Sequence, residues 1–192
     1  GLSMASKNAG DGISLLKVVE NATNDVTDML QRVRELAVQA KSGTNSTSDV
    51  ANLQKEAESL MDEITRVSED TTFNGVKYIG TDAGTESIQV GYKDGDTISI
   101  TTNKVDSMTL GIVTDADADK VNDAGEYLDI SSSAALATIT TAIDTVAGYK
   151  ACLVPSYRIN SGSDCGKCSG RGDIEVFSGI VHLISISIGN NT

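Results

Sequence analysis

The residues of this sequence that could do chemistry fall into two groups, and the first is an acidic run. Five carboxylates match ligand positions 1, 3, 5, 9 and 12 of the calcium-binding loop template: Asp115, Asp117, Asp119, Asp123 and Glu126. Lys120, however, stands where that template requires glycine, and no amphipathic helices flank the run. We therefore interpret it as a solvated acidic loop with weak calcium candidates, and we expect no bound metal.

The second group lies near the carboxyl end of the chain. It consists of Cys152, Cys165, Cys168 and the single histidine, His182. The spacing of Cys165 and Cys168 suits a zinc knuckle, so these residues could form a Cys-Cys-Cys-His zinc set. The same cysteines could equally well form a disulfide or remain free thiols. We expect no cofactor. A small metal- or ligand-binding module built on the two groups is the alternative function.

Composition excludes several other classes of protein. Because no nucleophile is paired with a base and no carboxylates pair in a predicted cleft, the sequence does not indicate an enzyme. The net charge of -12 disfavours a nucleic-acid surface, which needs clustered Lys and Arg. No stretch approaches the roughly 20 apolar residues of a membrane span. We therefore expect neither nucleic acid nor membrane as a partner.

The elements around these groups show helical periodicity in three places. In each, apolar residues alternate three and four positions apart, the spacing of a heptad stripe. The first stripe comprises Leu15, Val19, Ala22, Val26, Met29, Val33, Leu36 and Ala40. The second comprises Val50, Leu53, Ala57, Leu60, Ile64 and Val67, after a predicted helix start at Ser48-Asp49. The third comprises Leu136, Ile139, Ile143 and Val146, after a start at Ser131 to Ser133.

These stripes must pack against one another, because none can bury its apolar face alone. The sequence thus predicts a mainly α fold with a small β part, an antiparallel helical bundle or coiled-coil rod with a β-hairpin. We expect Val33, Leu60 and Ile143 at its packing contacts. Apolar alternation on both sides of Lys93-Asp-Gly-Asp96 predicts the hairpin. Residues 73–79 predict a turn and a further short strand. Residues 103–130 are acidic and weakly patterned, and we expect them to form a connecting segment with little core.

Residues 1–79 closely resemble the amino-terminal helical region of bacterial flagellin. The resemblance rests on three motifs: Asn8-Ala-Gly-Asp-Gly-Ile-Ser14, Leu30-Gln-Arg-Val-Arg-Glu-Leu-Ala-Val-Gln39, and Arg66-Val with Phe73-Asn-Gly-Val-Lys77. It resumes over residues 135–151, which look like the start of the family's carboxy-terminal helix. The resemblance implies a core helical rod with hairpin over 1–102 and 133–151, a short variable connector over 103–132, and a divergent tail over 152–192.

The resemblance also implies a function. Flagellins are structural subunits of the extracellular filament that serves bacterial motility, and their partners are other flagellin subunits. Arg32, Leu36 and Glu56 match the flagellin positions recognised by the innate immune receptor Toll-like receptor 5. The residues alone favour Leu36 as core and Arg32 and Glu56 as solvated. Because the terminal segments through which the family polymerises have no match here, we expect this chain by itself to be monomeric.

The tail departs from the family pattern. After Ala151 the family continues its helix with Leu-Gly-Ala, apolar residues and Gln-Asn-Arg, whereas this sequence places Pro155 three residues after Cys152. Since proline costs about 3 kcal/mol inside a helix, the helix should stop near Leu153. Re-reading the codons from the third base of codon 152 nearly restores the family motif. A frameshift is therefore our hypothesis, with a deliberately altered or naturally divergent end as the alternative.

Overall fold

A computed structural model describes residues 2–91, 95–114, 127–153 and 156–157. These all lie in the first of two compact units, residues 1–162. Three helices dominate it, and a small antiparallel sheet accompanies them, as the sequence predicted. The elements are α1 (Leu2–Ala40), α2 (Thr47–Asp70), β1 (Thr85–Gln89), β2 (Thr97–Thr101), α3 (Ala135–Cys152) and β3 (Ser156–Tyr157).

Helix α1 is the centre of the fold. It has 39 residues, which makes it about 60 Å long, and it packs against both α2 and α3. A helix with two partners needs a wider apolar face than a single seam. Accordingly, Leu16, Leu30 and Ala37 are buried in addition to the predicted stripe, of which only Met29 is half-buried.

Of the three residues expected at the packing contacts, one lies in this core and two pack against it. Val33 is fully buried, whereas Leu60 and Ile143 are half-buried and pack against the buried cluster. On α2 and α3 the largest fully buried side chains are instead Met61, Ile64 and Ile139. Helix α1 therefore supplies the middle of the core, and the other two helices contribute one face each.

The start of α2 is set by a capping box at Ser46, two residues before the predicted start. The Asp49 backbone N–H donates to Ser46 Oγ at 3.2 Å, and the Ser46 N–H donates to Asp49 Oδ2 at 3.0 Å. The Ser46 hydroxyl also donates to Asp49 Oδ2, at 2.6 Å. This bond, and after it the one from the Ser46 N–H, lowers the pKa of the Asp49 carboxyl because both stabilise its charged form. The reciprocal pairing satisfies two backbone donors at the helix end, which explains why the capping residue is Ser46 and not Ser48.

The predicted serine start of α3 is wrong. Helix α3 begins after Ala134 without a side-chain cap. Ser131 instead belongs to a preceding turn, where its N–H and hydroxyl both donate to Asp129 Oδ1. At its other end α3 stops at Cys152, with Leu153 as the capping residue, as predicted. Pro155 and residues 158–192 lie outside the described residues.

Residues 73–79 form a tight turn but no further strand, so that part of the prediction is wrong. Asn74 and Gly75 both have positive φ, 52° and 82°. Two hydrogen bonds, 3.0 and 3.1 Å long, join the backbones of Phe73 and Val76 in both directions. This pattern is a two-residue turn of the type that Asn-Gly favours. The chain then turns again at Lys77, whose N–H donates to Asp82 Oδ2 at 3.1 Å.

The predicted hairpin is confirmed. Strands β1 and β2 pair antiparallel with Ile88 opposite Ile98, and β3 pairs with β2 at Ile98 and Ser99. The hairpin lies on the amino-terminal half of α1, where Asn8 Nδ2 donates to the Gln89 carbonyl at 3.0 Å. A Cβ at Gly12 would lie 2.7 Å from Ile88 Cδ1, so this glycine allows the close approach of helix and strand.

The expectation of little core in the connector is wrong for its described part. Five of its apolar residues are buried: Val105, Leu110, Ile112, Val113 and Ile130. The described part of the segment is built of turns, and an isolated antiparallel bridge joins Val113 to Tyr127. Because turns impose no fixed period on side chains, the apolar residues show no helical or strand spacing. Residues 103–114 and 127–132 are therefore part of the folded rod.

The two groups of candidate metal ligands lie almost wholly outside the described residues. This holds for Asp115, Asp117, Asp119 and Glu126, and for Cys165, Cys168 and His182. Cys152 is described and is disulfide-bonded. Within the described ranges, no three His, Cys, Asp or Glu side chains come together as metal ligands would. No described helix is long and apolar enough to span a bilayer.

Candidate functional site

The surface at the junction of α1 and α2 carries a three-residue ionic cluster centred on Arg32. The Arg32 guanidinium donates from Nε and Nη2 to Glu56 Oε1, at 3.1 and 2.7 Å. Its Nη1 donates to Glu35 Oε2 at 3.1 Å. The three side chains are 49%, 47% and 68% exposed, so the cluster is fixed in position and yet open to solvent.

The helical hairpin explains why these residues meet. Arg32 lies two turns before the end of α1, and Glu56 lies about two turns after the start of α2. Because a short loop joins the two helices, positions equally far from it face each other. Glu56 and then Glu35 raise the pKa of Arg32 above its already high ordinary value, so the guanidinium stays charged throughout the physiological range.

Leu36 has no exposed surface, unlike the other two residues matched to receptor recognition. It lies one turn after Arg32 on α1 and belongs to the core beneath the cluster. The apolar side chain that α1 does expose in this region is Val38, at 56%. The structure thus brings Arg32 and Glu56 together at the surface and places Leu36 in the core below them.

A second face of α2, which the periodicity did not reveal, holds the connector. Gln54 Nε2 donates to the Leu128 carbonyl at 3.1 Å, and its Oε1 accepts the Ile130 N–H at 3.0 Å. The amide side chain thereby donates to one backbone carbonyl of the connector and accepts from one backbone N–H, as the backbone of a neighbouring strand would. The Tyr127 hydroxyl donates to Asp62 Oδ1 at 2.7 Å and adds a third anchor for the same segment.

Further along this face, two small polar residues of α2 hold the chain that follows the helix. Thr65 and Ser107 bring their hydroxyls to 2.5 Å, and Ser68 Oγ donates to the Ile79 carbonyl at 2.6 Å. Ser68 is fully buried, which is unusual for a serine unless it is hydrogen-bonded. Small polar residues three positions apart on one helix face were the available signal in the sequence.

Among the described residues, Asp106 is the one whose carboxylate is buried. Burial raises its pKa, but hydrogen bonds from Lys104 and Thr109 outweigh this and hold the pKa below its ordinary value. The Thr109 N–H donates to Asp106 Oδ1 at 2.8 Å, and Lys104 pairs with the other oxygen. Since all of these partners belong to the same turn, the carboxylate stabilises the connector and is not poised for acid–base work.

A shallow groove of about 290 Å³ runs between α1 and β1. Asp11, Tyr78 and Glu86 are among its lining residues. Burial, followed by the charge of Glu86, raises the pKa of the Tyr78 hydroxyl, so the phenol is neutral at physiological pH. Ser87 also lines the groove, but its hydroxyl lies 3.5 Å from that of Ser99, and among the described residues no carboxylate accepts a hydrogen bond from it. A nucleophile needs such a base, and therefore the groove gives no support to a catalytic function.

Comparisons with known proteins agree with the helical architecture. Residues 1–80 match the family described as the bacterial flagellin N-terminal helical region. Flagellin 1 of Proteus mirabilis is 50% identical over 115 residues, which cover 60% of this chain and 32% of that protein. Flagellin of Salmonella enteritidis is 39% identical over 196 residues, covering 100% of this chain and 36% of that protein.

The Salmonella alignment includes residues 152–192, for which we expected a departure from the family. Among solved structures, the crystal structure of Bacillus cereus flagellin is similar, with a TM-score of 0.60 and 29% identity. That match covers 76% of this chain and 79% of the other. The chain spans about a third of the length of the curated relatives it matches. The motifs, the helical hairpin and these similarities together lead to one conclusion: the chain belongs to the bacterial flagellin family.

Proposed function

We propose that this chain is part of a structural subunit of the bacterial flagellar filament, placed outside the cell and serving motility. The observation that carries the proposal is the long central helix α1, stiffened on two sides by α2 and α3. A rod with a continuous buried stripe can transmit load between neighbouring subunits, whereas it offers no catalytic site. Other flagellin subunits are then its partners, and the protein is not an enzyme.

A chimera tests the filament function. Residues 1–80 of this chain would replace the matching segment of Proteus mirabilis flagellin 1, which is 50% identical over 115 residues. We expect the chimera to form filaments and to restore swimming to a strain that lacks flagellin, because the packing stripes of the two proteins are interchangeable. Electron microscopy and swimming assays provide the measurement. A secreted chimera with a normal helical circular dichroism spectrum but no filaments would contradict the proposal.

We further propose that the Arg32–Glu56 surface is recognised by Toll-like receptor 5. Two features support this: the match of these positions to the family's recognised residues, and the exposed cluster itself. A guanidinium already held in position by two carboxylates loses little side-chain freedom on binding, which favours affinity. Arginine is also enriched among interface residues that dominate binding energy. In this proposal Arg32 and Glu56 contact the receptor, and buried Leu36 keeps α1 in place beneath them.

The variant Arg32→Ala tests receptor recognition. We expect it to weaken binding to the purified receptor ectodomain at least about 30-fold, the effect of losing a dominant interface residue. Titration by surface plasmon resonance or calorimetry gives the dissociation constants.

Arg66→Ala is the matched control. Arg66 also lies between two carboxylates, Glu63 and Asp70, and is 59% exposed, but it follows Glu56 by ten residues on α2, which is about 15 Å along the helix. We expect its affinity to stay within about threefold of the parent, as for most interface-distant residues. Equal affinities of the two variants would show that the Arg32 surface is not the recognised one.

A further inference from the structure

The turn between Phe73 and Val76 contains a pair of residues with its own chemistry. Asn74 is the only asparagine of the 192-residue sequence that is followed by glycine. Asn74 and Gly75 are both exposed, and a Cβ at Gly75 would meet no atom within 4 Å. Within the described ranges, no hydrogen bond engages the Asn74 side chain or the Gly75 N–H. The amide and the backbone nitrogen next to it are thus both accessible.

We propose that Asn74 is a site of spontaneous deamidation in the folded protein. The Gly75 backbone nitrogen attacks Cγ of the Asn74 side chain and forms a five-membered succinimide. The side-chain nitrogen leaves as ammonia, carrying the proton that the Gly75 nitrogen gives up. Water then adds to either carbonyl of the ring and opens it to aspartate or to isoaspartate. The balance is one water consumed and one ammonia released, with no oxidation or reduction.

The structure distinguishes Asn74 from the other described asparagines. Four of them lie within α1 or α2: Asn8, Asn21, Asn24 and Asn52. In a helix the following N–H is held in a backbone hydrogen bond, away from the side chain. Asn45 is half-buried and donates to the Gln39 carbonyl, and the N–H of the next residue, Ser46, is held by Asp49. Asn103 is also half-buried, and it is followed by Lys104 and not by glycine.

Glycine at the following position removes the remaining obstacle. It has no side chain to hinder closure of the ring, and it reaches backbone conformations that other residues rarely adopt. The attack requires the turn to open, because the two hydrogen bonds between Phe73 and Val76 fix the backbone. Exposed turns of this kind open locally at far lower free energy than the whole fold, so opening limits the rate without preventing the reaction.

Deamidation at this position has a structural consequence. Isoaspartate adds one carbon to the main chain, so the two-residue turn with its paired hydrogen bonds cannot be kept. The next segment reaches the Ile79 carbonyl that Ser68 holds from α2, and the ring of Tyr78 lies 6.5 Å from that of Phe73. Formation of isoaspartate is therefore expected to loosen the attachment of residues 73–79 to α2.

The experiment follows two tryptic peptides of the complete folded chain during incubation at mildly alkaline pH. Peptide 67–77 contains Asn74 as its only asparagine, and peptide 42–55 contains Asn45 and Asn52. Mass spectrometry detects the gain in mass from amide to acid, and chromatographic retention separates aspartate from isoaspartate. We expect peptide 67–77 to convert several-fold faster than peptide 42–55, with isoaspartate among its products.

The variant Asn74→Gly is the matched control, because glycine adopts the positive φ of this position but has no amide to lose. It should keep the helical spectrum of the parent and show no change in the mass of peptide 67–77. The proposal is overturned if peptide 67–77 of the parent keeps its amide, or if it converts no faster than peptide 42–55.

Discussion

Replacing Ile130 by alanine is expected to lower the free energy of unfolding by about 2–5 kcal/mol, the range for truncating a large buried aliphatic side chain. Ile130 has no exposed surface, and its N–H is held by Gln54 at 3.0 Å. The backbone is therefore fixed, and the segment cannot move inward to fill the cavity that the truncation leaves. Urea denaturation of the complete chain, followed by far-ultraviolet circular dichroism, measures the change.

Ile13→Ala provides the comparison, since it makes the same truncation at a residue that is 45% exposed. Its expected cost is below about 1 kcal/mol, because much of that side chain is already in water. Alanine also favours a helix slightly more than isoleucine does. If Ile130→Ala were no more destabilising than Ile13→Ala, residues 127–132 would not belong to the core, and the connector would be the loose excursion that the sequence suggested.

The helices were predictable because their information is local and periodic. Each stripe repeats at helical spacing over at least three turns, and only packing against another helix can bury it. The heptad stripe nevertheless underestimated the width of the buried face of α1, because Leu16, Leu30 and Ala37 are buried outside the stripe. A single heptad stripe accounts for packing against one helix, whereas α1 packs against two, α2 and α3. Which side the second partner occupies depends on the fold of the whole chain.

The connector was not predictable for the opposite reason. Its contacts join residues far apart in sequence, such as Gln54 with Ile130 and Thr65 with Ser107. These pairs involve ordinary polar side chains whose partners no local pattern specifies. The acidic residues between 115 and 126 favoured the interpretation of the segment as a solvated loop. Its buried residues, by contrast, are spread over turns and show no period.

The candidate surface was partly predictable. Antiparallel packing of α1 and α2 already implies that positions near 32 and 56 lie side by side, and the structure closes that pair at 2.7 Å. The burial of Leu36 also followed from its place in the stripe. Its assignment as a receptor contact came from the resemblance alone. Between the two expectations for Leu36, the packing one agrees with the observed burial.

Replacing Gly80 by alanine is expected to destabilise the protein by about 1–3 kcal/mol, the usual cost of forcing an extra carbon into a packed site. The new Cβ would lie 2.7 Å from the Ser68 backbone carbonyl oxygen. That oxygen belongs to α2 and cannot rotate away as a side chain could. Either the helix or the segment at 77–80 must move, and the hydrogen bond from Ser68 to Ile79 would weaken with it.

Gly84→Ala is the control for this change, four residues away. A Cβ at Gly84 would meet nothing within 4 Å, and its φ is not in the left-handed region. Alanine there should be neutral or stabilising by up to about 1 kcal/mol, because it restricts the unfolded chain. Thermal and urea unfolding of both variants decide the matter. Equal stabilities would mean that the chain after the Asn-Gly turn is not packed onto α2, and the anchoring role of Ser68 would be wrong.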